Sequence, residues 1–172
     1  MSQTIHSTDI VDIRKGTTQA KKAYKGSTVI WTPPAVLHSM KCIKNGSQLL
    51  VQSLLTVITP WTADGAYANT VMAPSNTGLK ADGNGTWDIT IQLTWTTVGS
   101  AGTNRRINLL KNGVQYGATF NPVNGNATQS ATWTGVPIAI NDVITAQSFH
   151  ASTSSTNRQV MGGATTYILA VV

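Results

Sequence analysis

The stretch TWDITIQLTWT, Thr86 to Thr96, alternates without a break. Trp87, Ile89, Ile91, Leu93 and Trp95 take every second position, and Asp88, Thr90, Gln92, Thr94 and Thr96 fill the gaps. Successive side chains of a strand point to opposite faces, so this segment has one dry face and one wet face. The pattern predicts an antiparallel strand covered on one side only. It therefore demands a second layer to bury the apolar side.

The remaining text supplies that layer. The chain has 172 residues, among them 26 Thr, 13 Ser, 12 Asn and 15 Gly, with no Glu. Threonine favours strands, and serine, asparagine and glycine favour turns. Charged residues make up only 10%, against about 25% in an ordinary soluble domain. Arg105–Lys111, Asn112-Gly113 and Val114–Phe120 read as a hairpin, with Val114, Tyr116, Ala118 and Phe120 on one face. Residues 126–134 and 142–151 read as two more strands. Ala164–Val172 is apolar on both faces, which fits a central strand between layers or a strand at a subunit interface. Val36–Lys44 reads as a strand followed by a hairpin turn at Asn45-Gly46. In Ser47–Ile58, the residues Leu50, Val51, Leu54, Leu55 and Ile58 have helical spacing, but the Thr-Val-Ile ending and the β context make it a strand. Residues 59–85 are rich in turn signals. Short strands spaced by about 8–12 residues predict an all-β sandwich or barrel.

The N-terminal region reads differently. Residues 1–9 are polar, and short strands are expected at 10–14, 19–24 and 28–31, with turns at Lys15-Gly16 and Lys25-Gly26. So short a meander buries too little to stand alone. Pro33-Pro34 makes a stiff, extended link, which divides the chain into 1–34 and 35–172. Net charge is +6, and five of the twelve cations (Arg14, Lys15, Lys21, Lys22 and Lys25) precede residue 26. Such a block suits nucleic acid, an anionic membrane or an acidic protein surface, and equally a solvated arm.

Catalytic chemistry is thinly represented. Three histidines and six aspartates, with lone Cys42, are thin material for catalysis. No nucleophile elbow, phosphate loop or paired metal-ligand spacing occurs. Asp82-Gly83-Asn84-Gly85 reads as a turn, because it lacks the length and closing glutamate of a calcium loop. Cys42, His38 and His150 read as packing or surface residues, and Trp87, Trp95 and Trp133 as core. Trp61, beside Pro60, and Tyr67 are the aromatics placed to stack a ligand. No apolar run approaches the ~20 residues of a membrane helix, no secretory signal opens the chain, and membrane insertion is not expected. The chain reads as a non-enzyme without cofactor or metal.

Two resemblances sharpen this reading. From QSLLTVITPWTADGAY through GNGTWDITIQLTW, NRRINLLKNGVQ and VPIAINDVITAQSFHAS to ATTYILAVV, the order of signals resembles the jelly roll of the tumour necrosis factor and complement globular-head superfamily. The similarity covers about residues 36–172. Asn141 stands where that family usually has glycine, and Tyr167 where phenylalanine is common. In AKKAYKGSTVIW, Tyr24, Gly26, Ser27 and Trp31 resemble a Tyr-x-Gly-Ser-x-x-x-Trp hairpin near the start of virion proteins of actinobacterial phages. The first resemblance implies a homotrimer, with Tyr167, Ile168, Leu169 and Val171 as candidate interface residues. The second implies a virion component.

On that basis Arg14, Lys21, Lys22, Tyr24, Lys25, Gly26 and Trp31 are the candidate docking residues of the arm toward other virion proteins. The expected architecture is a small β-hairpin arm followed by an antiparallel jelly-roll sandwich. The expected role is a minor tail or fibre protein whose head is displayed outward, with a host-envelope glycan as a conceivable contact. A capsid decoration protein of the same architecture is the nearest alternative. A stand-alone carbohydrate-binding module comes next, and a nucleic-acid binder ranks last.

Overall fold

The computed structural model describes residues 14–15, 18–19, 23–25, 28–32, 34–96, 105–121 and 127–172, with the backbone alone for the strands before residue 32. The chain divides into two compact units, Met1–Ala35 and Val36–Val172.

In the first unit, β1 (Arg14–Lys15) pairs antiparallel with β2 (Thr18–Gln19), and β3 (Ala23–Lys25) with β4 (Thr28–Trp31). Among the described residues the pairing is thus β1 with β2 and β3 with β4. Lys15 pairs with Thr18 and Lys25 with Thr28, while residues 10–13 and 20–22 of the expected strands lie outside the described residues.

The second unit contains β5 (Met40–Lys44), β6 (Gln48–Leu49), β7 (Thr56–Val57), β8 (Trp61–Ala63), β9 (Leu79–Lys80), β10 (Gly85–Thr94), β11 (Arg105–Lys111), β12 (Val114–Phe120), β13 (Thr128–Ile138), β14 (Val143–His150), β15 (Gln159–Val160) and β16 (Gly163–Val171). One sheet has the order β13-β10-β16-β5-β8. The other has the order β12-β11-β14-β7, with β9 also on β14, and β6 pairs with β15. All these ladders are antiparallel. The chain shuttles between the sheets, which is the jelly-roll way of building an antiparallel sandwich.

The core forms where the alternation placed it. Trp87, Ile89, Ile91, Leu93 and Trp95 are buried with Met40, Cys42, Ile168 and Ala170 of their own sheet, against Ile107, Leu109, Ile144 and Ala146 of the other. The Asn112-Gly113 turn between β11 and β12 has φ of 53° and 79°, the left-handed pair that a two-residue hairpin requires. The Asn112 amide also donates to Asp142 Oδ1 at 2.7 Å, and its oxygen accepts the Val143 N–H at 2.8 Å, which ties the turn to β14.

Three expectations are corrected. First, Asn45-Gly46 does not join a hairpin, since β5 pairs with β16 and β8 while β6 crosses to β15. The turn's polar groups are engaged elsewhere: Asn45 N–H donates to the Pro60 carbonyl at 3.0 Å, and Lys44 Nζ donates to the Asn45 and Gly46 carbonyls at 3.1 and 2.9 Å. Second, Ser47–Ile58 is neither one strand nor a helix. It breaks between β6 and β7, with Ser53 at φ 54°, because Leu50 N–H donates to the Arg158 carbonyl and Ser53 N–H to the His150 carbonyl, both at 3.1 Å. Third, Trp133 is half-buried and packs at the margin of the core rather than inside it.

Strand directions define two poles of this unit. Val36 bridges Asn84, and with residues 81–85, 112–113, 139–143 and 171–172 it forms the proximal pole. Lys44–Leu55, Trp95, Arg105 and residues 150–163 form the distal pole. Truncation of the fully buried Ile91 to alanine should lower unfolding free energy by about 2–5 kcal/mol in chemical denaturation. Val114→Ala, at a residue 71% exposed, should stay within about 0.5 kcal/mol of the parent.

Candidate functional site

The structure separates the predicted site residues sharply. Trp61 is fully buried, and its Nε1 donates to the Ile58 carbonyl at 2.6 Å. It pairs on β8 with Lys44 and turns inward, so it cannot stack a ligand, and that expectation is withdrawn. Tyr67 is half-buried beside Lys41. Ile168 is fully buried in the subunit's own core and is removed from the interface candidates. Its neighbours Tyr167, Leu169 and Val171 point the other way, away from the core, because successive residues of β16 alternate. In the first unit, Arg14, Tyr24, Lys25 and Trp31 lie on the paired strands, while Lys21, Lys22 and Gly26 fall outside the described residues.

The outward face of the β13-β10-β16-β5-β8 sheet forms one surface. Across it, Thr132, Thr90, Leu169 and Lys41 make one row, and Ser130, Gln92, Tyr167, Ile43 and Thr62 the next. Hydroxyl pairs link the outer strands, Thr90 to Thr132 at 2.9 Å and Thr94 to Thr128 at 3.0 Å. Tyr167 O–H donates to Gln92 Oε1 at 3.3 Å. Lys41 Nζ sits 4.9 Å from the Tyr167 ring centre, 6.0 Å from that of Tyr67 and 3.0 Å from Asp64 Oδ2. One lysine thus brings together Tyr67 and Tyr167, two aromatics chosen for different reasons. The Ala66 N–H, followed by the Lys41 side chain, holds the Asp64 carboxyl below its ordinary pKa.

One partly buried aromatic environment escaped sequence reasoning. Trp133 lies on the core-facing side of β13, but β13 is an edge strand, so the indole meets β12 across the open side of the sandwich. Its Nε1 donates to the Ala118 carbonyl at 3.3 Å. A Cβ on Gly117, which has φ 68°, would come within 3.0 Å of the indole, so glycine is what lets the ring lie there. Ala118, Thr119, Phe120 and residues 130–133 line a shallow cleft of about 370 Å³. The strand alternation hid this, because it reports the face of a strand and not its place in the sheet.

The distal pole is rich in donors. His150 is fully buried, with Arg105 Nε donating to its Nε2 at 3.0 Å and Ser152 N–H to its Nδ1 at 3.1 Å. The Arg105 guanidinium also lies 4.6 Å from the Trp95 ring centre. Arg158 Nη1 donates to the Leu50 carbonyl, and Lys44 is 2% exposed. Burial, followed by the charges of Arg105 and Arg158, pushes the His150 pKa down to about 4. A proton there would turn an acceptor into one more donor among donors.

Burial pushes the Cys42 thiol up to about 12, only partly offset by a hydrogen bond with the Ile168 backbone. Among the described residues no group of three or more His, Cys, Asp or Glu side chains could hold a metal, and no helix is long and apolar enough to cross a membrane. At the proximal pole His38 Nδ1 lies 2.5 Å from Asp82 Oδ2. The chain matches no known protein family model and none of the curated proteins.

Two measurements check these environments. His150 binds its proton less readily folded than unfolded, so its contribution is fully present above pH 6.5 and is lost as pH falls toward about 4. Unfolding free energy should therefore drop across that window by on the order of 2 kcal/mol, and His150→Gln should flatten the drop. Asp64 and Asp142, both held below the ordinary 3.8, add their losses only at lower pH. Cys42 should resist a thiol reagent near neutral pH in the native protein and react fully in denaturant.

Proposed function

We propose that this protein is a structural component of a tailed-phage particle, a minor tail or fibre protein whose trimeric head projects outward and acts by binding alone. The arm, residues 1–34, joins it to other virion proteins. Tyr24 and Trp31 serve as apolar anchors, and Arg14, Lys21, Lys22 and Lys25 meet acidic groups on the neighbour. Strand addition to an exposed sheet edge is the physical route for such docking. A capsid position with the same architecture is the nearest variant.

The observation that carries this reading is the outward face of β16. This strand is central in its sheet, yet Tyr167, Leu169 and Val171 line its outer side, with Ile43 beside Tyr167 on β5. A central strand with apolar residues on both sides calls for cover on both sides. A ring of identical subunits supplies such cover through one repeated contact. The preceding hairpin unit, separate from the head and too small to stabilise itself, supports a role in attachment.

A second reading, glycan binding, is favoured by one feature, the Trp133 cleft. An indole at the rim of a cleft lined by residues 118–120 and 130–133 offers a stacking surface to a neutral sugar.

Deletion of residues 1–34 should leave a folded head that no longer enters particles; normal incorporation of the truncated chain would refute the docking role. Leu169→Lys should convert the trimer to monomers with the circular dichroism spectrum unchanged, as read by sedimentation. A mass unaffected by Leu169→Lys would move the interface elsewhere.

A further inference from the structure

Large exposed apolar side chains gather at one place in the head. Leu49, Val51, Leu54 and Leu55 are 53%, 54%, 55% and 41% exposed, from the last residue of β6 through the loop that leaves it. The loop is held rather than loose. Leu50, between two exposed residues, is buried and bonded through its N–H and its carbonyl to Arg158. Ser53 N–H is fixed by the His150 carbonyl, and Leu54 N–H closes a turn onto Val51. With Leu50 plugged inward, its neighbours are forced outward.

This tip stands at the distal pole, opposite the point where the chain enters the head at Val36. Charge is segregated along the same axis. Lys44, Arg105, Arg106 and Arg158 lie in the distal half, and none of the head's described acids does. The proximal half and the middle hold Asp64, Asp82, Asp88 and Asp142 against Lys41, Lys80 and Lys111. His150 is the further titratable group packed among the distal cations, and Trp95 Nε1 and Arg158 Nε find no acceptor there among the described residues.

We propose that the distal pole docks peripherally on an anionic lipid surface, with Leu49, Val51, Leu54 and Leu55 entering the headgroup region and the four cations behind them supplying the attraction. The chemistry selects among partners. Lys44 and Arg105 are 2% and 4% exposed, so they act through their field and cannot grip nucleic-acid phosphates one by one. A second copy meeting pole to pole would oppose two cationic ends. A lipid interface accepts a narrow apolar tip and rewards positive charge near the surface without contact in fixed geometry. The inference goes beyond the virion reading and stands without it.

The test uses the full chain in flotation with phosphatidylcholine vesicles, with and without phosphatidylglycerol. Binding should require phosphatidylglycerol, weaken with added salt, and fall about tenfold or more in Leu54→Ser/Leu55→Ser. Circular dichroism should show that variant folded, and Val114→Ser at the proximal pole should bind like the parent. Absence of binding, or equal binding to neutral vesicles, would overturn the proposal. So would undiminished binding by the double variant, which would assign the effect to the basic arm. A change of oligomeric mass in that variant would assign the tip to a second copy instead, and would also overturn it.

Discussion

Burial of the Trp87–Trp95 face is the constraint from which the head follows. Four large side chains at every second position of β10, and Trp95 just beyond it, must be covered, and β11 and β14 of the opposing sheet provide Ile107, Leu109, Ile144 and Ala146 to cover them. Within its own sheet β10 lies between β13 and β16. Its wet face is therefore joined to theirs, which sets Thr90 beside Thr132 on one side and Leu169 on the other. The candidate interface on β16 is thus a consequence of the same alternation that builds the core.

Much of this was legible in the sequence wherever one strand decides the outcome alone. The β10 alternation and the Asn112-Gly113 hairpin are local facts, fixed by side-chain period and by turn chemistry. Ile168 was misread because an all-apolar strand does not say which face the core takes; its partner strands decide that. Trp61 was misread because its proline-flanked, turn-rich text suggested a loop, whereas pairing of β8 with β5 draws the indole inward. Ser47–Ile58 defeated both helical and strand periodicity. Its shape comes from backbone bonds to Arg158 and His150, about a hundred residues away in the chain, which no local pattern records.

The functional reading joins two kinds of support. The separate hairpin unit and the apolar outer side of β16 come from the architecture, while the virion assignment leans on the resemblance of the arm. The chain as a whole is rich in Thr, Ser and Asn with only 10% charged residues, and the head's acids are all paired or hydrogen-bonded. A surface of that kind stays soluble with little dependence on ion pairs, which suits a component exposed to changing salt. Polarity along the head then distinguishes its ends: the chain enters at the proximal pole, and the distal pole presents an apolar tip backed by cations.

The central claim is that the outer face of β16 is covered by identical neighbours. The mass of the purified full chain in solution, measured by light scattering, tests it most directly. Three times the 18.2 kDa of one chain is the expected value. A single 18.2 kDa species, persisting at high concentration, would contradict it.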